Sequence, residues 1–110
     1  MPDMRNSVAT LDALPERVRG LAESVAVEAR RRFGADLHVY WFGSWVNGKA
    51  RPHSDIDLAL RGDGPLPHVE LAAFRDWIDD LPTLYSIDLL DLNIVNERLR
   101  GEVERTGVYL

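Results

Sequence analysis

The sequence has no cysteine, and this absence excludes disulfide frameworks and thiolate metal sites. No apolar run approaches the ~18 consecutive residues that a membrane-spanning helix needs. The stretch from Met1 to Asn6 has no basic segment followed by an apolar one, so no secretory signal peptide is expected. We therefore expect a cytoplasmic protein without a membrane partner.

The chain is also short of positive charge. Thirteen Lys and Arg residues stand against 18 Asp and Glu residues, which gives a formal net charge of −5 at pH 7. A domain that wraps nucleic acid usually carries a basic stripe. The longest basic run here is Arg30-Arg31-Arg32, which ends a helical pattern where cations favour the helix dipole. No direct nucleic-acid partner is expected.

The composition is typical of one small globular domain. The chain has 110 residues, of which 45% are hydrophobic and 28% are charged. Its N-terminal residues are polar and mixed, so we expect a flexible segment over residues 1–14. A single domain is expected over residues 15–110, because no repeat, low-complexity stretch or linker interrupts them.

Hydrophobic periodicity predicts helices that alternate with strands and pack on a central sheet. The predicted helices are 15–33, 67–81 and 95–106, with Leu99 and Val103 facing inward in the last. The predicted strands are 37–42, buried on both faces, 55–60 and 84–92, with a helical turn and loop over 45–53. Residues 108–110 are expected either to add a short edge strand or to dock on the core.

Two aspartates, Asp55 and Asp57, open the second predicted strand. Aspartate is a poor strand residue, and residues at i and i+2 face the same side of a strand. Their charges repel unless a cation or solvent screens them. Carboxylates of this kind suit Mg²⁺, which completes its shell with water and substrate phosphate, and two such ions can assist an in-line displacement at phosphorus. The alternative is an ordinary, solvated edge strand.

Gly43 and Ser44 end the first predicted strand, and ten residues separate Ser44 from Asp55. Glycine lets a phosphate approach the backbone, and the turn amides with the Ser44 hydroxyl suit phosphate binding. The alternative for Ser44 is a plain helix N-cap. Lys49 and Arg51, in the following loop, either add positive charge to the phosphate site or are ordinary loop charges.

A third carboxylate is available in the third predicted strand, from Asp88 or Asp91. Their odd spacing puts them on opposite faces. Ile87 and Leu89 suit the helix layer, so Asp88 shares the face of the aspartate pair and is the favoured candidate. Asp91 lies on the same face of the strand as the core residues, but it is near the strand end, where it is expected to reach solvent.

The signature Gly43-Ser44-x₁₀-Asp55-x-Asp57, with the later stretches 87–92 and 107–109, resembles the nucleotidyltransferase superfamily related to DNA polymerase β. The resemblance covers residues 15–110 and is closest to the minimal prokaryotic branch. It implies an α/β (α+β) fold, in which a mixed sheet has its helices packed on one face. It also implies that Asp55, Asp57 and Asp88 are catalytic and bind Mg²⁺, as two ions, and that Gly43 and Ser44 hold the triphosphate of ATP.

The resemblance also implies a partner protein. Members of this size commonly act as antitoxins beside a helical HEPN-domain toxin, and some transfer AMP to a tyrosine of that toxin. It therefore implies a Mg²⁺-dependent adenylyltransferase within a hetero-oligomer. Two alternatives stay open. One is a non-catalytic antitoxin that neutralises its toxin by complex formation, and the other is a nucleotidyltransferase of small molecules such as aminoglycosides.

Overall fold

A computed structural model of the chain describes residues 14–110. The predicted flexible segment lies outside these residues except for Leu14, which is buried in the core. The elements in chain order are α1 (Glu16–Phe33), β1 (His38–Phe42), β2 (Ile56–Arg61), α2 (His68–Asp79), β3 (Ile87–Asp91), α3 (Glu97–Thr106) and β4 (Val108–Tyr109). No helix in the described part of the chain is long and apolar enough to cross a bilayer.

The strands form one four-stranded sheet in the order β3-β2-β1-β4. β1 runs antiparallel to both β2 and β4, whereas β2 and β3 are parallel. A parallel pair needs a crossover connection, and α2 provides it. The mixed sheet implied by the signature is thus confirmed, and residues 108–109 add the predicted edge strand.

The first helix forms where its apolar residues recur at helical spacing. It follows Pro15 and ends at Gly34, whose φ of 112° is open to glycine but rare for other residues. Arg30 donates from Nε to the Leu37 carbonyl at 2.9 Å and from Nη2 to the Leu110 carbonyl at 3.0 Å. The basic run at this helix end therefore has a structural role. Its other two arginines pair with Glu28.

The main core lies between the sheet and the layer of α1 and α2. The sheet contributes alternate residues of β1 and β2, and the helices contribute their apolar faces. The fully buried sheet residues of this core are Val39, Trp41, Ile56, Leu58 and Leu60. Trp41, predicted as core, is 0% exposed.

The third helix packs on the opposite face, so the expectation that all helices share one face is wrong for α3. Its buried Val103 packs with Ala59, and Tyr40 and Phe42 border the same cluster. The small Ala59 side chain leaves room for a helix there. Arg61, on the same face of β2, pairs with Glu104 of α3.

Two predictions of burial are corrected by this arrangement. β1 is buried on one face only, because α3 leaves His38 exposed and Tyr40 partly covered. Leu99 was predicted to face inward but is 36% exposed. Arg100 is turned inward instead, since its Nε donates to the Leu92 carbonyl at 3.1 Å.

Candidate active site

The predicted site residues lie where β1 ends and where β2 and β3 begin. Phe42, the last residue of β1, pairs with Asp57 near the start of β2. The Ile56 amide donates to the Ser86 carbonyl at 2.9 Å, just before β3. The three strand ends therefore meet at one edge of the sheet.

Asp57 lies directly opposite Asp88 in the parallel ladder of β2 and β3. Side chains at paired positions point to the same face of a sheet. Asp55, two residues before Asp57, is exposed, as is Asp88, whereas Asp57 is half-buried. Burial raises the pKa of the Asp57 carboxyl, and the negative charges of Asp88 and Asp55 raise it further. The fold thus puts Asp57 and Asp88 on one face of the sheet, with Asp55 near enough for its charge to act on the Asp57 carboxyl.

Asp91 is separated from this group. It is 6% exposed, on the face toward α1 and α2. Its Oδ2 accepts the Leu66 amide and its Oδ1 accepts the Asn93 amide, both at 2.9 Å. The expectation that Asp91 reaches solvent is wrong, because these two backbone donors stabilise the carboxylate inside the protein.

Gly43 makes the turn after β1 with a φ of 84°. The Val46 and Asn47 amides donate to the Gly43 carbonyl at 3.1 and 3.0 Å. A Cβ at this position would lie 3.0 Å from Asp57 Cγ and closer still to Asp57 Oδ2. The absence of a side chain at Gly43 therefore makes room for the Asp57 carboxylate.

Ser44 begins a segment of turns over residues 44–48 rather than a helix, so it is not a helix N-cap. No hydrogen bond within residues 14–110 uses its hydroxyl, and the Ser44 carbonyl accepts the Lys49 amide at 2.9 Å. Lys49 and Arg51 are exposed, and neither forms an ion pair with another described residue. Their charges are available to a ligand, but no contact joins them to the carboxylates.

An aromatic group that the sequence did not predict borders this edge. Trp45 and Tyr85 meet edge to face with ring centroids 6.2 Å apart, and His53 lies 6.4 Å from Tyr85. The Trp45 indole donates to the Ser54 carbonyl at 2.9 Å, which ties the loop back to the turn. The sequence does contain a signal for this group, because His53 and Tyr85 each come just before a strand that carries a site aspartate.

The carboxylates fit Mg²⁺ by their chemistry, although they do not form a closed cage. Within residues 14–110, no three His, Cys, Asp or Glu side chains converge closely enough to hold an ion alone. Mg²⁺ does not need such a cage, because it keeps several waters and takes one or two carboxylates together with substrate phosphates. The site therefore suits a metal that arrives with a phosphate ligand.

Comparison with known proteins finds a family model and a relative that match most of the described residues. Residues 36–110 match the polymerase beta nucleotidyltransferase family model. The chain is 31% identical over 75 residues to the probable protein adenylyltransferase MntA of Haemophilus influenzae, with 68% of this chain and 66% of that protein covered. It therefore spans just under two thirds of that relative.

Solved structures share the fold. A minimal nucleotidyltransferase aligns with a TM-score of 0.68 at 26% identity, covering 86% of this chain and 94% of that one. A toxin–antitoxin structure with AMP-PNP aligns with a TM-score of 0.62 at 24% identity, covering 79% of this chain and 70% of that one. A MntA–HepT toxin–antitoxin structure gives 0.52 at 22% identity, with 82% and 69% covered. The nucleotidyltransferase fold implied by the signature is confirmed.

Proposed function

The chain belongs to the polymerase beta nucleotidyltransferase family, and we propose that it transfers AMP from ATP to a tyrosine of a partner toxin. In this proposal the protein is the antitoxin of the pair and depends on Mg²⁺. The observation that carries the proposal is the direct pairing of Asp57 with Asp88, beside the Gly43 turn.

The proposed roles follow from the position of each carboxylate. Asp55 and Asp57 hold two Mg²⁺ ions together with Asp88. When bound, Mg²⁺ supplies the positive charge that orients the triphosphate and stabilises the leaving pyrophosphate. Asp88, on the outermost strand, accepts the proton of the acceptor hydroxyl. The acceptor oxygen then bonds to the α-phosphorus as the bond to the bridging oxygen breaks and pyrophosphate leaves.

The turn at Gly43 is proposed to bind the triphosphate. Its backbone is open to close approach, and the Ser44 hydroxyl is without a partner among the described residues. Lys49 and Arg51 add positive charge from the exposed loop, which offsets the acidic character of the chain. These assignments explain how a protein of net charge −5 binds a polyanion.

A protein acceptor fits the site better than a small molecule. Small-molecule sites are concave and enclose most of their ligand, whereas Asp55 and Asp88 are exposed at the sheet edge. A partner protein is able to cover such an open edge. The relative named a protein adenylyltransferase and the toxin–antitoxin structures of the same fold support this choice. The helical HEPN fold of the toxin is proposed from the signature alone.

The test is a labelling experiment. The protein and its Asp57→Asn variant are incubated with Mg²⁺, lysate of the source cells and ATP labelled at the α-phosphate, with γ-labelled ATP as control. We expect a protein band that carries the α-label only and is absent with the variant.

Two outcomes would reject the proposal in different ways. A partner that binds but takes no label from the unaltered protein indicates a non-catalytic antitoxin. Label that appears on a small molecule, with no labelled protein, indicates an antibiotic-modifying type of enzyme.

A further inference from the structure

The outer edge of β3 has backbone groups without partners in the described part of the chain. The Ser86 carbonyl and the Leu92 amide bond to β2. Residues that bond to one neighbouring strand alternate along a parallel ladder. Ile87 and Leu89 therefore direct their N–H and C=O groups away from β2, and no hydrogen bond within residues 14–110 satisfies them there.

A groove runs along this edge, formed by two cavities that share Arg75 and Leu89. The first cavity, of about 430 Å³, lies between α2 and the start of β3, where Asp79 and Asp88 line it. The second, of about 500 Å³, continues past the end of β3 to Ile94. We refer to both cavities with the outer edge of Ile87 and Leu89 as the β3 groove.

The middle of the β3 groove carries one available positive charge. Arg75 is exposed and forms no ion pair with another described residue. Asp91 lines the second cavity, but both of its carboxylate oxygens are occupied by backbone amides. An acidic side chain in the second cavity is therefore able to pair with Arg75. In the first cavity the negative charge of Asp79 disfavours an acidic side chain.

We propose that the β3 groove binds an extended, acidic segment of the acceptor protein as an added strand, which presents the acceptor tyrosine to Asp88. This inference rests on the proposed function. Strand addition satisfies the free backbone groups of Ile87 and Leu89. The two cavities follow one another along β3. An extended segment is able to occupy both, whereas a compact ligand would fill only one.

The pleat of the sheet fixes what the added strand presents. A residue paired with Asp88 faces the carboxylate side, and its neighbour in sequence, paired with Leu89, faces Arg75 on the helix side. Strands are ~4.8 Å apart, so the acceptor residue lies roughly 10 Å from Asp57 across β3. Long aromatic side chains bridge diagonal or distant neighbours on a sheet where short ones do not. The segment is thus expected to carry tyrosine directly beside aspartate or glutamate.

A second copy of this chain is a poorer occupant of the groove. Pairing two β3 strands in antiparallel fashion places Asp88 and Asp91 of both copies in one short ladder. Repulsion between the copies opposes this arrangement.

The test uses the full chain, labelled with ¹⁵N, and two synthetic nonapeptides of alternating threonine and valine. One peptide has a central tyrosine–aspartate pair, and the other has a tyrosine–lysine pair. With the first peptide we expect shift changes confined to β3 and α2, and slower solvent exchange of the Ile87 and Leu89 amides. Arg75→Glu should weaken binding of the first peptide by about tenfold and strengthen binding of the second. The matched reversal Arg98→Glu, on the exposed surface of α3, should change neither.

Leu89→Pro gives an independent check. It removes an outward N–H, and an edge strand tolerates proline there, so it should abolish binding of both peptides while the circular dichroism spectrum is kept. Shift changes outside β3 and α2, equal effects of Arg75→Glu on both peptides, or no binding would overturn the proposal. If solvent exchange of the Leu89 amide slows as the protein concentration rises, without any peptide, the groove binds a second copy of the chain and the proposal is overturned. Since binding is measured equally well with Asp57→Asn, a failure of AMP transfer leaves this test intact.

Discussion

Gly43 and Asp57 are packed so closely that only a residue without a side chain fits at position 43. A Cβ on Gly43 would lie 3.0 Å from Asp57 Cγ, and nearer to Oδ2. The φ of 84° at Gly43 adds a second reason for glycine. The turn after β1 and the carboxylate of β2 are therefore one structural unit, although more than ten residues separate them in sequence.

Gly43→Ala should damage both the turn and the position of Asp57. Alanine at a positive φ costs about 1–2 kcal/mol, and the carboxylate must also move. We expect a lower free energy of unfolding and an affinity for a non-hydrolysable ATP analogue with Mg²⁺ that falls by about tenfold or more. Chemical denaturation and calorimetric titration measure the two quantities.

Gly48→Ala is the matched control, because Gly48 has a φ of 79° and no atom within 4 Å of its added Cβ. It should lose similar stability and keep its nucleotide affinity. Equal losses of affinity in both variants would show that the turn alone, and not Asp57, is responsible.

Asp88→Asn and Asp91→Asn should have opposite effects on activity and stability. Asp88 is exposed beside Asp57, so its amide variant should fold normally and lose about 10²-fold or more of AMP transfer. Asp91 is buried and accepts two backbone amides, so its variant should lose about 1–3 kcal/mol of stability and retain transfer at a permissive temperature. Retained transfer in Asp88→Asn would remove Asp88 from the proposed site.

Asp57→Asn should raise the melting temperature in metal-free buffer at neutral pH. The pKa of Asp57 is raised in the folded protein by burial and by Asp88 and Asp55, so folding favours its protonated form. This contribution to stability is present at acidic pH and is lost as pH rises from the ordinary carboxyl range through the raised pKa. We expect a gain of a few degrees near neutral pH that disappears in acid.

Differential scanning calorimetry across this pH range measures the effect. The change should also vanish when Mg²⁺ and nucleotide are present, because they stabilise the unaltered site. A melting temperature that drops at neutral pH without metal would mean that the three carboxylates are not crowded.

Binding of Mg²⁺ should depend on the nucleotide. The described side chains do not converge on an ion by themselves, and Mg²⁺ prefers to complete its shell with phosphate. Titration with Mg²⁺ alone should give weak binding, and titration after a non-hydrolysable ATP analogue should give binding at least tenfold tighter. Tight binding of the metal in the absence of nucleotide would contradict the open geometry of the site.

The features that sequence predicted are those set by local pattern. Gly34 ends α1 as expected, because a positive φ at a helix end needs no distant partner. The alternation of side chains along a strand predicted that Asp88 shares the face of Asp57, and the pairing of β2 with β3 confirms it. Site roles for these residues remain predictions.

The features that sequence missed depend on contacts between distant segments. The side of the sheet taken by α3 is decided by the small Ala59 and by Val103, which no periodicity connects. The burial of Asp91 depends on the Leu66 amide in another loop. Likewise, Tyr85 meets Trp45 only after β2 and β3 pair.

The parallel pairing of β2 with β3 has a consequence for the newly made chain. Asp55 and Asp57 are synthesised early, but Asp88 reaches Asp57 only after α2 has crossed the sheet and β3 has been laid down. Such a non-local contact closes a long loop and forms late in folding. A nascent or partly unfolded chain therefore has the signature residues without the assembled centre. If Asp88 has its proposed role, AMP transfer requires a chain that has completed this late step of folding.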